Sequence, residues 1–307
     1  MTVEKSSAKP TERVVAMTDW FPGFEQRRIA TSGAEINCVV GGSGPPLLLL
    51  HGYPQTHAMW HRVAPQLAER FTVVCSDLRG YGDSAKPGGG VGHVDYSKRV
   101  MALDQIEVMR TLGFSRFRLA GHDRGARVAH RLCLDHPQAV ERAAVLDISP
   151  TRIMFAGTNQ AFATAYYHWF FLIQPFDLPE RLIGADPIYY LHRKIGGWSG
   201  GIELFDPRAL AEYERCFSDP AMIHASCEDY RAAATIDLEH DAADAQRKVE
   251  CPLLVLWGTK GVVNRMFNPI ADWNSVARDV SGKPLVSGHF LAEEAPEETL
   301  AELQAFF

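Results

Sequence analysis

Short apolar runs alternate with longer segments of helical periodicity along most of this 307-residue chain. Such alternation is typical of a sheet whose parallel strands are joined by helices that cover both of its faces. The predicted helices lie at about residues 59–69, 95–112, 124–135 and 295–306, and the predicted strands are Leu47–Leu50, Phe71–Cys75, Phe117–Ala120, Ala143–Ile148, Leu253–Trp257 and Leu285–Val286. We therefore predict an α/β fold built on a mainly parallel sheet.

The strand pattern stops between Pro150 and about Lys248, where aromatic residues and helix formers become frequent. We predict that residues 151–247 form a helical cap, inserted into a core of residues 17–150 and 248–307. Residues 1–16 are polar and lack periodicity, which is typical of a loose N-terminal arm.

Charge and composition narrow the classes of partner. The net charge of −6 and the lack of any run of lysines or arginines argue against nucleic-acid binding, so attraction for an anion must be local. No segment approaches the roughly 18 apolar residues of a membrane span, and the N-terminus lacks the apolar core of a signal peptide. We expect a cytosolic protein without membrane partners. The six cysteines are scattered and form no CxxC pair, which favours reduced thiols over disulfides or zinc ligands.

The segment from Arg118 to Arg127 reads Arg-Leu-Ala-Gly-His-Asp-Arg-Gly-Ala-Arg and joins a predicted strand to a predicted helix. Glycines lie two residues before and two residues after Asp123, as a strained strand–turn–helix elbow that exposes a nucleophile requires. Asp123 is therefore the candidate nucleophile. The alternative is that Asp123 only caps the helix that starts at Arg124. Because Arg124 and Arg127 would lie beside the Asp123 carboxylate, the motif indicates a small anionic substrate.

A histidine in the turn Ser287-Gly-His289 follows the last predicted strand and precedes the C-terminal helix, where it would serve as general base. Its acid partner would come from the end of one of two strands. The later strand leads into Trp257–Gly261, which contains no carboxylate, whereas Asp147 ends the strand after the elbow helix. An aspartate in an apolar strand is costly without a partner, so Asp147 is the candidate acid.

The turn His51-Gly-Tyr-Pro54 directly follows the first predicted core strand. We expect the backbone N–H of Tyr53 to donate to an oxyanion, together with the backbone N–H of Arg124 after the nucleophile. A plain strand-to-helix loop is the alternative interpretation of this turn.

From about Phe21 to its C-terminus the chain closely resembles the fluoroacetate dehalogenases, in the haloalkane dehalogenase and epoxide hydrolase branch of the α/β-hydrolases. The residues that carry the resemblance are Gly121–Arg127, Asp147, Tyr167–Trp169, Trp198, Tyr230, Asp279–Gly282 and Gly288–Pro296. The resemblance implies an α/β-hydrolase fold, a homodimer, and no metal or organic cofactor. Haloalkane dehalogenases and epoxide hydrolases resemble the chain less, because they usually have tryptophan in place of Arg124.

The resemblance also implies roles for individual side chains. Arg124 and Arg127 would bind the substrate carboxylate, because the planar fork of a guanidinium can give a carboxylate two charge-assisted hydrogen bonds. Trp198 would form a wall of the pocket. The halide would be bound by N–H and O–H donors of His168, Trp169 and Tyr230.

The mechanism implied by the resemblance has two steps. Asp123 displaces the halide of a small 2-haloacid such as fluoroacetate or chloroacetate and becomes an ester. His289, oriented by Asp147, then activates a water that hydrolyses this ester to release the 2-hydroxy acid.

Two other functions compete with this one. An epoxide hydrolase would use the same three catalytic residues, with Tyr167 and Tyr230 protonating the opening ring, but Arg124 and Arg127 count against it. A non-catalytic ligand receptor on the same fold is a more distant alternative. The sequence predicts no role for His122.

Overall fold

The computed structural model of the protein describes residues 13–16 and 20–307, and these residues form a nine-stranded sheet. The strands are β1 (Arg13–Ala16), β2 (Phe24–Ala30), β3 (Glu35–Gly41), β4 (Pro46–Leu50), β5 (Thr72–Ser76), β6 (Phe117–His122), β7 (Val140–Leu146), β8 (Leu253–Gly258) and β9 (Val280–Leu285). Their spatial order is β1-β2-β3-β5-β4-β6-β7-β8-β9.

The sheet is mainly parallel, which confirms the predicted fold class. β5, β4, β6, β7, β8 and β9 pair in parallel, whereas β1, β2, β3 and β5 pair antiparallel at one side. Leu47–Leu50 of β4 and Leu253–Gly258 of β8 are buried throughout, because central strands of such a sheet are covered on both faces.

The prediction of a loose N-terminal arm over residues 1–16 is wrong for its last four residues. Arg13–Ala16 forms β1, which pairs with β2 in antiparallel register. Two valines in Arg-Val-Val-Ala give this segment the β-branched character that an edge strand favours. The rest of the predicted arm, residues 1–12, lies outside the described residues. The hairpin of β2 and β3 is also absent from the predicted elements.

Fifteen α-helices accompany the sheet in the described part of the chain. They are α1 (Ala64–Leu67), α2 (Lys98–Thr111), α3 (Arg124–Asp135), α4 (Thr151–Ala156), α5 (Gln160–Ala165), α6 (Tyr167–Phe171), α7 (Leu178–Gly184), α8 (Pro187–Trp198), α9 (Pro207–Phe217), α10 (Pro220–Ala234), α11 (Ile236–Ala243), α12 (Val262–Met266), α13 (Pro269–Val276), α14 (Leu291–Glu294) and α15 (Pro296–Phe306). Across residues 13–16 and 20–307, no helix combines the length and apolarity that crossing a bilayer requires.

Eight of these helices, α4 to α11, lie between β7 and β8 and span residues 151–243. We call this segment the helical insertion. Its helical character agrees with the loss of the strand pattern after Pro150. Proline occupies the first turn of α7, α8, α9 and α10, where the missing N–H costs no hydrogen bond.

The last predicted strand is displaced. β9 runs from Val280 to Leu285, and Val286 is 73% exposed instead of paired. Gly282 and Pro284 interrupt the run of strand-forming residues, so the sequence alone does not predict a strand over this whole range. An edge position tolerates Pro284 because one side of an edge strand has no neighbour to receive its N–H.

Candidate active site

The candidate nucleophile Asp123 lies in the turn between β6 and α3, is 6% exposed, and has a φ of 42°. A positive φ is uncommon for aspartate and stores strain, as expected of a nucleophile elbow. A Cβ on Gly121 would lie 2.5 Å from the carbonyl oxygen of Gly125, and one on Gly125 would lie 2.4 Å from that of His51. Glycine is therefore required at both positions for the close approach of β6, α3 and the end of β4.

The carboxylate of Asp123 faces the loop after β4. The backbone N–H of Tyr53 donates to Oδ2 of Asp123 across 3.2 Å. Within the described chain the Asp123 side chain makes no hydrogen bond that caps α3, so the helix-cap alternative is wrong. The N–H of Arg124 opens α3 and, as a first-turn donor, has no acceptor inside its own helix. That these two N–H groups bind an oxyanion stays a prediction.

His289 and Asp147 form a buried hydrogen-bonded pair. Nδ1–H of His289 donates to Oδ2 of Asp147 across 2.6 Å, which assigns the acceptor role to Nε2. Oδ1 of Asp147 accepts the N–H of Gly258 at the end of β8 across 3.0 Å. Burial lowers the pKa of His289, but the hydrogen bond and charge of Asp147 outweigh burial and raise that pKa above its ordinary value. Protonated His289 is therefore stabilised here, as a general base requires.

Two contacts fix the loop that carries His289. Its N–H donates to the carbonyl oxygen of Trp198 across 2.9 Å, and its own carbonyl accepts Nε2–H of His122 across 2.8 Å. Burial and the neighbouring His289 ring lower the pKa of His122 to about 3, so His122 stays neutral. His122 thus supports the backbone of the candidate base.

Arg124 is 1% exposed and is bound by Asp229 of α10. Nε donates to Oδ2, while Nη2 donates to Oδ1 and to the backbone carbonyl of Asp229, each across 2.8 Å. These bonds use three of the five guanidinium N–H groups and leave the two on Nη1, so binding of a substrate carboxylate by Arg124 stays a prediction. Nη1 has no hydrogen-bond partner among the described residues. The guanidinium also lies 4.2 Å from the ring centroid of Tyr230.

Arg127 is buried and mostly occupied as well. Nη1 donates to Oγ1 of Thr151 across 2.8 Å and to the carbonyl of Ser149 across 3.3 Å, and Nη2 lies 3.2 Å from Sδ of Met154. Burial and the charge of Arg124 lower the pKa of Arg127 to about 10. Nε has no partner in the described part of the chain.

The three predicted halide-binding side chains lie together. Ring centroids of His168 and Trp169, both on α6, are 5.5 Å and 6.5 Å from that of Tyr230 on α10. Burial and the charge of Asp123 raise the pKa of Tyr230 well above its ordinary value. Burial and the charge of Lys194 lower the pKa of His168 well below its ordinary value. Both side chains are therefore neutral, and each carries a proton to donate.

Four of the predicted binding residues each carry a buried polar atom that has no hydrogen-bond partner among residues 13–16 and 20–307. These atoms are Nη1 of Arg124, Nε of Arg127, the hydroxyl of Tyr230 and Nδ1 of His168. An unsatisfied buried polar group costs about 1–3 kcal/mol, so such a cluster marks a place where a ligand or water completes the bonding. The cationic and neutral donors in this cluster are suited to an anion.

Trp198 lies between the predicted halide site and the candidate base. Its ring centroid is 4.5 Å from that of His168 and 5.5 Å from that of His289. A cavity of about 90 Å³ has His289 in its wall, and its other lining residues include Tyr166, Trp198, Lys260 and Arg265.

Tyr167, the second tyrosine of the epoxide hydrolase alternative, does not belong to this cluster. It is 47% exposed, and Nζ of Lys194 lies 3.4 Å from its ring centroid. Tyr166 is 6% exposed, and burial together with the charges of Asp147 and Asp123 raises its pKa well above the ordinary value. The choice of Tyr167 is therefore wrong, because neighbouring positions at the start of α6 point in different directions.

Three buried residues were missed from the sequence, namely Asp229, Lys98 and Tyr81. Asp229 accepts hydrogen bonds from the hydroxyl of Tyr81 across 2.7 Å and from Nζ of Lys98. Asp229 directly precedes Tyr230 in a segment of helix formers. A carboxylate that is buried there needs a cationic partner, and this requirement could have pointed to Asp229 from the sequence.

Comparison with known proteins agrees with this fold. Residues 45–290 match the family defined by the alpha/beta hydrolase fold. A fluoroacetate dehalogenase from Burkholderia sp is 50% identical, over 93% of this chain and 94% of its own length. A soluble epoxide hydrolase from Corynebacterium sp. (strain C12) is 35% identical, over 90% of this chain and 94% of its own length. The solved structure of a candidate alpha/beta hydrolase from Nostoc sp PCC 7120 has a TM-score of 0.92 at 61% identity, covering 93% of this chain and 98% of that one. The chain therefore belongs to the α/β-hydrolases and, among them, to the fluoroacetate dehalogenase family.

Proposed function

We propose that the protein is a cytosolic haloacetate dehalogenase that converts small 2-haloacids to 2-hydroxy acids and halide, for example fluoroacetate or chloroacetate to glycolate. The observation that carries this proposal is the cluster of unpartnered buried polar atoms on Arg124, Arg127, Tyr230 and His168. A substrate with a carboxylate at one end and a halogen at the other would satisfy the cluster.

The two arginines favour an anionic substrate over a neutral one. Nη1 of Arg124 and Nε of Arg127 are the nitrogens left over after each guanidinium has bound its protein partners. We propose that the substrate carboxylate accepts one hydrogen bond from each arginine. Charge-assisted bonds of this kind are about twice as strong as neutral ones, and burial removes the competing water.

In the first step, a carboxylate oxygen of Asp123 attacks the α-carbon from the side opposite the halogen. The carbon–halogen bond breaks, an aspartyl ester forms, and the halide leaves with the bonding electrons. We assign halide binding to the donors of His168, Trp169 and Tyr230, which replace the water that a small halide holds tightly. No proton has to leave the nucleophile, which is why a carboxylate suffices here.

In the second step, His289 accepts a proton at Nε2 from a water that attacks the ester carbonyl. Asp147 stabilises the resulting imidazolium through its short hydrogen bond to Nδ1. The backbone N–H of Tyr53, which already contacts the Asp123 carboxylate, and that of Arg124 would stabilise the oxyanion. Collapse of the intermediate breaks the bond to the substrate oxygen, which takes the second proton of the attacking water and leaves as the hydroxyl group of the 2-hydroxy acid. The proton on His289 passes to solvent, and Asp123 is again a carboxylate.

The helical insertion would act as the cap of this site, because it supplies all three proposed halide donors and the wall residue Trp198. Its helix α10 also supplies Asp229, which holds Arg124. The proposed chemistry therefore needs the core loops for bond making and the insertion for binding the leaving group.

Halide release from fluoroacetate and chloroacetate, followed with an ion-selective electrode, tests the proposal. Wild type should release halide, Asp123→Asn should not, and Arg127→Ala should bind substrate far more weakly. Arg152→Ala, which removes an exposed arginine of α4, is the matched control and should behave as wild type. Single turnover in ¹⁸O-water should place the label in the Asp123 side chain. Label that enters only the product would refute the covalent mechanism.

Epoxide hydrolysis is the second candidate, favoured by the 35% identical epoxide hydrolase and by the unpartnered hydroxyl of Tyr230. In that reaction Tyr230 would protonate the opening ring, and Tyr166 would replace Tyr167 as the second acid. Diol formation from styrene oxide without halide release from either haloacid would favour this candidate. A His289→Asn variant that accumulates an aspartyl ester would exclude a non-catalytic receptor.

A further inference from the structure

Asp229 is a fully buried carboxylate that takes no part in the proposed reaction. It contacts three side chains of the core, Arg124, Lys98 and Tyr81, although it lies on α10 of the helical insertion. Two cations thus share one carboxylate, and the second carboxylate near Lys98 is that of Asp237, at 3.5 Å.

The contact with Arg124 fixes an orientation as well as balancing a charge. Nε has one N–H and Nη2 has two, and all three point to Asp229. A guanidinium held along one edge in this way cannot rotate about its long side chain. Its remaining N–H groups, on Nη1, are consequently held in one direction within the site.

We propose that Asp229 is a positioning residue that fixes Nη1 of Arg124 toward the substrate carboxylate and so sets the affinity of the site for anions. This inference rests on the proposed function. Because Tyr230 follows Asp229 on α10, and its ring lies 4.2 Å from the Arg124 guanidinium, one turn of α10 positions both the carboxylate-binding arginine and a halide donor.

Asp229→Asn tests the proposal, because the amide keeps the shape of the side chain but accepts fewer hydrogen bonds. We expect the KM for chloroacetate and the inhibition constant of acetate to rise together by about 10- to 100-fold, the range for one lost charge-assisted hydrogen bond. We expect kcat, corrected for the fraction of enzyme that forms the ester in a single turnover, to change less than about 3-fold. Acetate is the informative probe because it carries the carboxylate and lacks the leaving atom.

Asp237→Asn is the matched control. Asp237 is also buried and also pairs with Lys98, but its Oδ1 accepts the backbone N–H of Lys98 and no N–H of Arg124. This variant should leave the acetate inhibition constant unchanged. Asp229→Glu, which keeps the charge, should recover part of the lost acetate affinity.

Failure to fold is separated from loss of positioning by the double variant Lys98→Met/Asp229→Asn, which removes one of the two buried cations that lose the charge of Asp229. The double variant should show the same loss of acetate affinity. An unchanged acetate inhibition constant in either folded variant, or an equal rise in Asp237→Asn, would overturn the positioning role. Wild type that releases no halide from chloroacetate would instead overturn the proposed function, so the two failures are distinguishable.

Discussion

Replacing Tyr230 by phenylalanine should stabilise the unliganded protein and slow the proposed reaction. The Tyr230 hydroxyl is buried and lacks a partner among the described residues, so its removal relieves an unsatisfied group and should raise the free energy of unfolding by up to about 1 kcal/mol. The same hydroxyl is one of three proposed halide donors. Its loss should cost about 1.5–3 kcal/mol in the transition state, which is roughly 10- to 150-fold in kcat.

Tyr213→Phe, which is also in the helical insertion, should have the opposite effect on stability and no effect on the reaction. The Tyr213 hydroxyl donates to Glu293 across 2.5 Å in a buried contact, and removing it leaves that carboxyl group short of a donor. This variant should lower the melting temperature and leave halide release unchanged.

Thermal unfolding without ligand and halide release from fluoroacetate and chloroacetate measure the two effects. Fluoride should be affected more than chloride, because the smaller ion accepts stronger hydrogen bonds. A Tyr230→Phe protein that melts earlier than wild type, or that defluorinates at the wild-type rate, would refute the assignment of this hydroxyl.

Three further predictions concern the base, the elbow and the assembly. The pKa of His289 is raised above its ordinary value of about 6.5, so ester hydrolysis should decline as pH falls through that raised pKa. In Asp147→Asn, a single-turnover pH profile should show this decline at lower pH, because the carboxylate that raises the pKa is gone. Gly125→Ala should lose about 1–3 kcal/mol of stability in urea unfolding, because its Cβ would lie 2.4 Å from the carbonyl oxygen of His51, whereas Gly184→Ala, with open space at its Cβ, should lose none. Light scattering should give twice the 34.1 kDa mass of the chain, and a monomer at micromolar concentration would contradict the predicted homodimer.

The sequence reveals Asp123, His289 and Asp147 because each lies in a short motif at the end of a strand. In a mainly parallel sheet, strand ends meet at one edge, so local motifs far apart in sequence converge there. The structure brings these three residues together with the loop after β4, as that rule requires.

The position of Asp229 could not be predicted, because its contacts with Lys98 and Arg124 join segments more than 100 residues apart. The β2–β3 hairpin was missed because the strand Phe-Glu-Gln-Arg-Arg-Ile-Ala reads as mostly polar.

The ion pair between Arg124 and Asp229 joins two parts of the molecule that otherwise have separate tasks. In the proposed mechanism, the nucleophile, base and acid all come from the core, while the side chains that bind the leaving halide come from the helical insertion. Exchange of insertions between relatives should therefore preserve halide displacement and ester hydrolysis but weaken binding of the substrate carboxylate. Binding should be kept only where the core that receives the insertion has an arginine at position 124. Engineering this fold to accept a different class of substrate would require replacing Arg124 and Asp229 together.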